Sequence, residues 1–364
     1  MAPPTMSLGS LSSRWLASAG IALLLAMFLL PFFFVILRLM IFDTVPRDKY
    51  EPFLLWLLDQ PGGRVPPSPY CYRVVAMVAA APFYYVLPPI SFSGLQDTIS
   101  VPVLKATGAI AALSFLSIIG TSIMAYRLAV DKANLRRVEG LAAGVLAFFF
   151  CWYGAFYALD SASILLVAIG LYLVDRWVAF APFAILSVGF NEKITLVFAI
   201  WLVMRCVLFP EDRARLGAPA LAAVSAAALY ALIVMMVRHP GNAYQTDLAS
   251  YPSTAIENLR AYVDVRGLVL NIVPVALLAG TALFSWRYLK QPFAGGLFRP
   301  VDVLVIVGLL LVALVATLDY QVGRIAMHAA PLYVVPAGAA LGLWIRRLPR
   351  SAEPKAGGPL LPAR

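Results

Sequence analysis

Between two very apolar stretches near the start of this chain lies a polar segment, running from Asp43 through Asp48, Tyr50 and Glu51 to Pro69-Tyr70-Cys71-Tyr72-Arg73. Asp160, Glu192, Lys193, His239, Asp264, Arg266, Asp319 and Arg324 follow, many of them at the mouths of apolar runs. In a chain this hydrophobic, ionisable groups beside hydrocarbon mark the places where recognition or chemistry occurs. Carboxylates can take the proton of an attacking hydroxyl, and Arg or Lys can stabilise a departing anion. Together they suit a reaction on a lipid-linked, phosphorylated substrate whose tail stays in a bilayer while its phosphate reaches the surface.

Each residue also has a plainer reading. Asp48 reads as a solvated loop acid, Arg73 beside Tyr70 and Tyr72 as an interfacial anchor, and Asp160 as the cap of a helix starting at Ser161. Glu192 with Lys193, and Asp319 with Arg324, read as ion pairs at helix ends. His328, inside the last apolar run, reads as a hydrogen-bond partner for a neighbouring helix. Their recurrence on one face is what favours the functional reading.

The elements that must hold these groups follow from composition. Of 364 residues, 62% are hydrophobic and 13% charged, outside the range of soluble globular domains; the expected class is an all-α polytopic membrane protein. The run Trp15 to Leu37, flanked by Arg14 and Arg38, is long enough for a bilayer core of about 30 Å. It exceeds the ~7–15-residue apolar core of a signal peptide, so it is expected to be a retained first helix. Further runs predict about ten spanning helices, near 15–42, 104–127, 140–158, 161–175, 178–190, 194–209, 216–237, 267–286, 301–318 and 325–345. Residues 74–90 are also apolar but are broken by Pro82, Pro88 and Pro89, which predicts an interface helix inside a first outer loop, 43–103. The whole is expected to be one transmembrane domain, 14–348, with disordered tails at 1–13 and 349–364, both rich in Pro, Gly, Ser and Ala.

The net charge of +10 reports topology and implies no nucleic-acid partner. Its clusters are Arg127, Lys132, Arg136 and Arg137; Arg213 and Arg215; Arg287, Lys290 and Arg299; and Arg346, Arg347 and Arg350. Ten crossings with a cytoplasmic N-terminus place all of them inside. Eleven crossings with an external N-terminus do so too, and put the Asp48 loop in the cytoplasm. Charge alone slightly prefers the second, which also brings Arg47, Lys49, Arg64 and Arg73 inside. The three cysteines, Cys71, Cys151 and Cys206, form neither a disulfide framework nor a metal-ligand spacing. No internal repeat is visible.

Asp48-Lys49-Tyr50, Pro69-Tyr70-Cys71-Tyr72-Arg73-Val74, Asp160 at a helix start, Asn191-Glu192-Lys193-Ile194-Thr195, and Arg324 with Pro331 in the last run together resemble the GT-C class of integral membrane glycosyltransferases, which use polyprenyl-phosphate sugars. The resemblance spans most of the chain. Asn-Glu-Lys-Ile-Thr departs from the commoner Asn-Arg-Glu-Thr-like order, and no large C-terminal soluble domain is expected. The resemblance implies a bacterial-type inner membrane, an extracytoplasmic first loop and ten crossings. It implies an inverting transfer of a sugar from a polyprenyl phosphate to a glycan, lipid or protein acceptor at the outer face. Asp48 would be the general base, with Asp43 its nearest substitute. Arg73 would hold the donor phosphate, helped by Arg324 or Lys193, and Tyr72 would orient the phosphate head, with Asp160 and Glu192 as further polar groups of the site. No cofactor is expected; Asp48 and Asp160 would share a divalent ion only if folding brings them together. A transporter or flippase, or a polysaccharide polymerase acting on lipid-linked sugars, remains an alternative on the residues alone.

Overall fold

The computed structural model describes residues 49–67, 70–89, 99–155, 159–237, 268–288, 297–316 and 326–347, with Gly20, Met27, Leu30 and Val265 singly. The regular structure among them is helical. The expected first span 15–42, apart from three of those single residues, lies outside the described residues. So do both tails and nearly all of the loop 238–266.

Eleven α-helices occur among the described residues: α1 Glu51–Leu57, α2 Val74–Val86, α3 Val101–Arg127, α4 Arg137–Ala155, α5 Asp160–Leu173, α6 Trp177–Val188, α7 Glu192–Leu208, α8 Arg213–Met236, α9 Val273–Tyr288, α10 Leu304–Ala316 and α11 Pro331–Arg347. The helices α3 to α11 follow the apolar runs to within a few residues at most ends. Two helical stretches, Val101–Lys132 and Pro210–Met236, are long and apolar enough to cross a membrane. Helix α8 leaves Leu221 68% and Met236 80% exposed, an apolar face that water does not tolerate over a large area.

Helix α2 replaces the expected 74–90 element and stops sooner. Leu87 is extended, as the residue before a proline prefers, and Pro88 and Pro89 cannot continue the helix. Helix α1 was not foreseen. Pro52 sits in its first turn, where a missing N–H costs nothing, and Phe53, Leu54 and Leu55 are buried where α1 packs on α2 and α3.

Helix α3 is central, packing on α2, α4 and α5, while α11 lies along α4. The latter pair touch backbone to backbone. A Cβ on Gly338 would sit 2.7 Å from the Glu139 carbonyl oxygen and 2.8 Å from the Ala143 nitrogen. One turn on, a Cβ on Gly342 would meet the Glu139 side chain. Small residues four apart allow this approach. Gly338→Ala should force the helices apart at a cost of about 1–3 kcal/mol, read as a lower midpoint of thermal unfolding for the detergent-solubilised chain; an unchanged midpoint would remove the close approach as a constraint.

Charged side chains gather at alternate helix ends, as expected for helices that each traverse the bundle. At one end Asp175, between α5 and α6, receives Lys132 at 3.0 Å and Arg215 at 2.7 Å. Burial alone would raise the Asp175 carboxyl; the hydrogen bonds from Lys132 and Arg215 outweigh it and hold its pKa below the usual range. Toward the same end lies a buried network. Arg205 of α7, fully buried, donates to Asp212 at 2.8 Å, to Asp302 at 3.2 Å and to the Leu297 carbonyl at 3.2 Å. Trp201 donates to Asp302 at 3.1 Å, and Arg299 reaches Asp212 at 3.2 Å. The network ties α7 to the starts of α8 and α10, and Tyr333 of α11 donates to the Asp302 carbonyl at 2.8 Å.

Candidate functional site

The opposite end gathers those of the residues singled out for chemistry that lie among the described residues, and the turn between α6 and α7 is its keystone. Asn191 is extended and caps α7, its side-chain oxygen accepting from the Lys193 backbone N–H at 3.2 Å. Its amide nitrogen donates to Ser163 of α5 at 2.8 Å. Thr195 lies 3.2 Å from the Ser187 hydroxyl. The polar residues of Asn191-Glu192-Lys193-Ile194-Thr195 therefore each meet a different partner, and two of those partners are the cluster described next.

Gly189 brings the first loop onto this turn. Its carbonyl accepts from the Val75 N–H at 2.9 Å, and a Cβ there would sit 2.6 Å from the Val75 side chain. With α2 seated so closely, Arg73 at its N-terminal boundary reaches Glu192. Arg73 Nε donates to one Glu192 oxygen at 3.2 Å and a terminal nitrogen donates to the other at 2.5 Å. The remaining terminal nitrogen donates to the Tyr50 hydroxyl. The Tyr70 ring lies 5.0 Å from the guanidinium carbon, and the Tyr50 ring packs edge-on against it at 5.5 Å. Burial alone would weaken the Arg73 proton; the Glu192 charge, with Tyr50 next, outweighs it and raises the pKa well above the ordinary arginine value.

One residue further along α7 the pairing changes. Lys193 Nζ lies 3.7 Å from Asp160 at the start of α5, and His328, just before α11, places Nε2 3.6 Å from the same carboxylate oxygen. Asp160 and His328 are buried. Two of the plainer readings are thereby corrected. Asp160 is the first residue of α5, with Leu159 in the cap position, and its carboxylate faces Lys193 and His328. Glu192 and Lys193 do not pair with each other but with Arg73 and Asp160, because neighbours on a helix diverge by about 100°. The reading of His328 as a partner for a neighbouring helix fits its place beside Asp160.

Beside the Arg73–Glu192 pair opens an apolar cleft of about 390 Å³. Val74 and Val75 in the first turn of α2, Ile185 and Leu186 of α6, and Leu229 and Ile233 of α8 line it. Tyr72 closes one side. Its hydroxyl donates to the Val237 carbonyl at the end of α8 at 2.9 Å, and its ring meets Tyr230 edge-on at 6.1 Å. Cys71 also lines the cleft, and burial pushes its thiol pKa up, away from nucleophilic use. All three cysteines are free thiols.

Asp48, Asp43 and Arg324 lie outside the described residues; Arg73, Tyr72, Lys193, Asp160 and Glu192 converge. Asp48 stands two residues before Tyr50, the tyrosine bonded to Arg73. Glu51, which the sequence shows only as part of the polar run, is buried and accepts from Thr107 of α3 at 2.5 Å. Its place before Pro52-Phe53-Leu54-Leu55 was the available signal, since a helix starting there carries Glu51 inward with them. Among the described residues, no three His, Cys, Asp or Glu side chains converge as a metal ion requires. No protein-family model, curated protein or solved structure matches this chain.

Proposed function

We propose that the protein is a multi-pass inner-membrane glycosyltransferase of GT-C type, moving a sugar from a polyprenyl phosphate to an acceptor hydroxyl at the outer face. The observation that carries this reading is a pair of cations at one end of the bundle, Arg73 and Lys193, each held by a carboxylate, with an apolar cleft beside the Arg73–Glu192 pair. A lipid phosphate needs such a pairing: hydrocarbon for the tail and fixed positive charge for the head.

Asp48 takes the proton of the acceptor hydroxyl as its oxygen attacks the anomeric carbon from the face opposite the phosphate. The bond to the phosphate oxygen breaks, the anomeric centre inverts, and the leaving polyprenyl phosphate carries the electron pair. Arg73 and Lys193 stabilise the charge on that leaving group, joined by Arg324. Asp160 and His328 position Lys193, and Tyr72 roofs the cleft. Ten crossings put this end of the bundle outside and the Arg205 end in the cytoplasm, in line with the Lys/Arg distribution.

Asp48→Asn keeps the size of the side chain and removes the base. Transfer from a polyprenyl-phosphate sugar should fall by about 10²–10⁴-fold while expression and lipid binding stay normal. Wild-type transfer by an Asp43/Asp48 double variant would end the enzymatic reading. A topology reporter at residue 60 checks the side of the membrane, and a cytoplasmic result would place the site on the wrong face.

A further inference from the structure

The Arg73–Glu192 pair is asymmetric. The Arg73 side chain is 4% exposed and that of Glu192 is 24% exposed. Arg73 is pinned from three directions by Tyr50, Tyr70 and the N-terminal turn of α2. Glu192 is the partner with room to leave, and it stands at the first position of α7, where the helix N-terminus favours a carboxylate whether or not Arg73 is present. The planar fork that grips two carboxylate oxygens also fits two oxygens of a phosphate. The residues that bring the pair together, Val75 and Gly189, are themselves walls of the apolar cleft.

We infer that Glu192 occupies the anion seat of Arg73 in the empty site and is exchanged for the phosphate of an alkyl phosphate whose chain lies in the cleft between α2, α6 and α8. The inference rests on the lipid-phosphate reading above and adds how the seat is kept when no substrate is bound. A buried guanidinium without an anion would be costly; Glu192 removes that cost and thereby competes with the ligand. Release of Glu192 returns its carboxylate to water beside Lys193. An occupied seat therefore reads out as a free acid at the mouth of the site, and an empty one as a closed pair.

The test uses the full chain in uncharged maltoside micelles with decyl phosphate, decanol and inorganic phosphate as probes. Glu192→Gln removes the competing charge and keeps the shape, so decyl phosphate should bind about tenfold more tightly than to wild type. Arg73→Gln should abolish that binding. Decanol and inorganic phosphate should each bind far more weakly, since each supplies half of the ligand; inorganic phosphate binding as well as decyl phosphate would overturn the assignment of the cleft. Unchanged or weaker decyl phosphate binding by a folded Glu192→Gln variant, with Arg73 still required, would overturn the exchange and leave the lipid-phosphate site standing. No binding by wild type or either Glu192 variant would overturn both. Should Glu192→Gln fail to fold, Glu192→Asp keeps the charge but shortens the reach; it should still tighten binding, and failure to do so counts equally against the exchange.

Discussion

Arg205→Met is expected to destabilise the protein by about 3–5 kcal/mol, because it strands buried carboxylates without their shared cation. Arg205 is fully buried, and the side chains of Asp212 and Asp302 are 7% and 2% exposed. Arg299 still reaches Asp212 at 3.2 Å, but it meets the Asp302 carboxylate through its backbone N–H and not its guanidinium. Asp302 thus loses its one guanidinium contact among the described residues and keeps Trp201. Methionine fills a similar volume, so the loss reports the unpaired charge more than a cavity. Unfolding of the purified protein by heat or denaturant measures it. Adding Asp302→Asn to Arg205→Met should recover part of the loss, because the stranded charge then disappears. Full additivity of the two single changes would mean that the residues do not act as a network.

Arg73→Ala should reduce sugar transfer by about 10²–10³-fold, the size of effect that follows removal of one fixed group from a developing anion. Arg73→Lys should recover little of it. An ammonium is a point donor, whereas Arg73 spans both oxygens of its anion and the Tyr50 hydroxyl at once. The decisive readout is how the loss divides between donor KM and kcat. A group that binds phosphate equally in ground and transition states raises KM alone, and one that meets charge developing on the leaving oxygen lowers kcat. Near-wild-type values of both for a folded Arg73→Ala variant would remove Arg73 from the site. Folding is checked alongside, since the variant also leaves Glu192 without its guanidinium.

Composition and apolar run length were enough to read most of the helices, because a helix surrounded by hydrocarbon or by other helices needs little beyond length and an uninterrupted apolar surface. The boundaries of α7 were legible as well: Asn191 before it is a capping residue, and Pro210 follows soon after its end. Helix α1 escaped because seven residues are too few for periodicity to register; packing on α2 and α3 holds it.

Partner choice was a different matter. Glu192 and Lys193 are adjacent, and a chain read in one dimension pairs them. Helical geometry sends them to different neighbours, and only the seating of α2 on Gly189 decides that the neighbour of Glu192 is Arg73. The same holds for His328, which the sequence leaves as one polar residue in an apolar run and the fold sets beside Asp160 and Lys193. The Arg205 network was not legible either, since it joins residues 97 positions apart.

By itself the sequence determined an all-helical, strongly apolar chain, the approximate span of its helices, and the set of polar residues gathered at their ends. The tertiary structure alone decided which acid meets which base, and that Arg73 is already engaged by Glu192 beside an apolar cleft. The physical reason is range. Hydrophobic run length and capping act over a few residues and are written locally, whereas ion pairs between helices depend on rotations and close approaches set by every intervening contact.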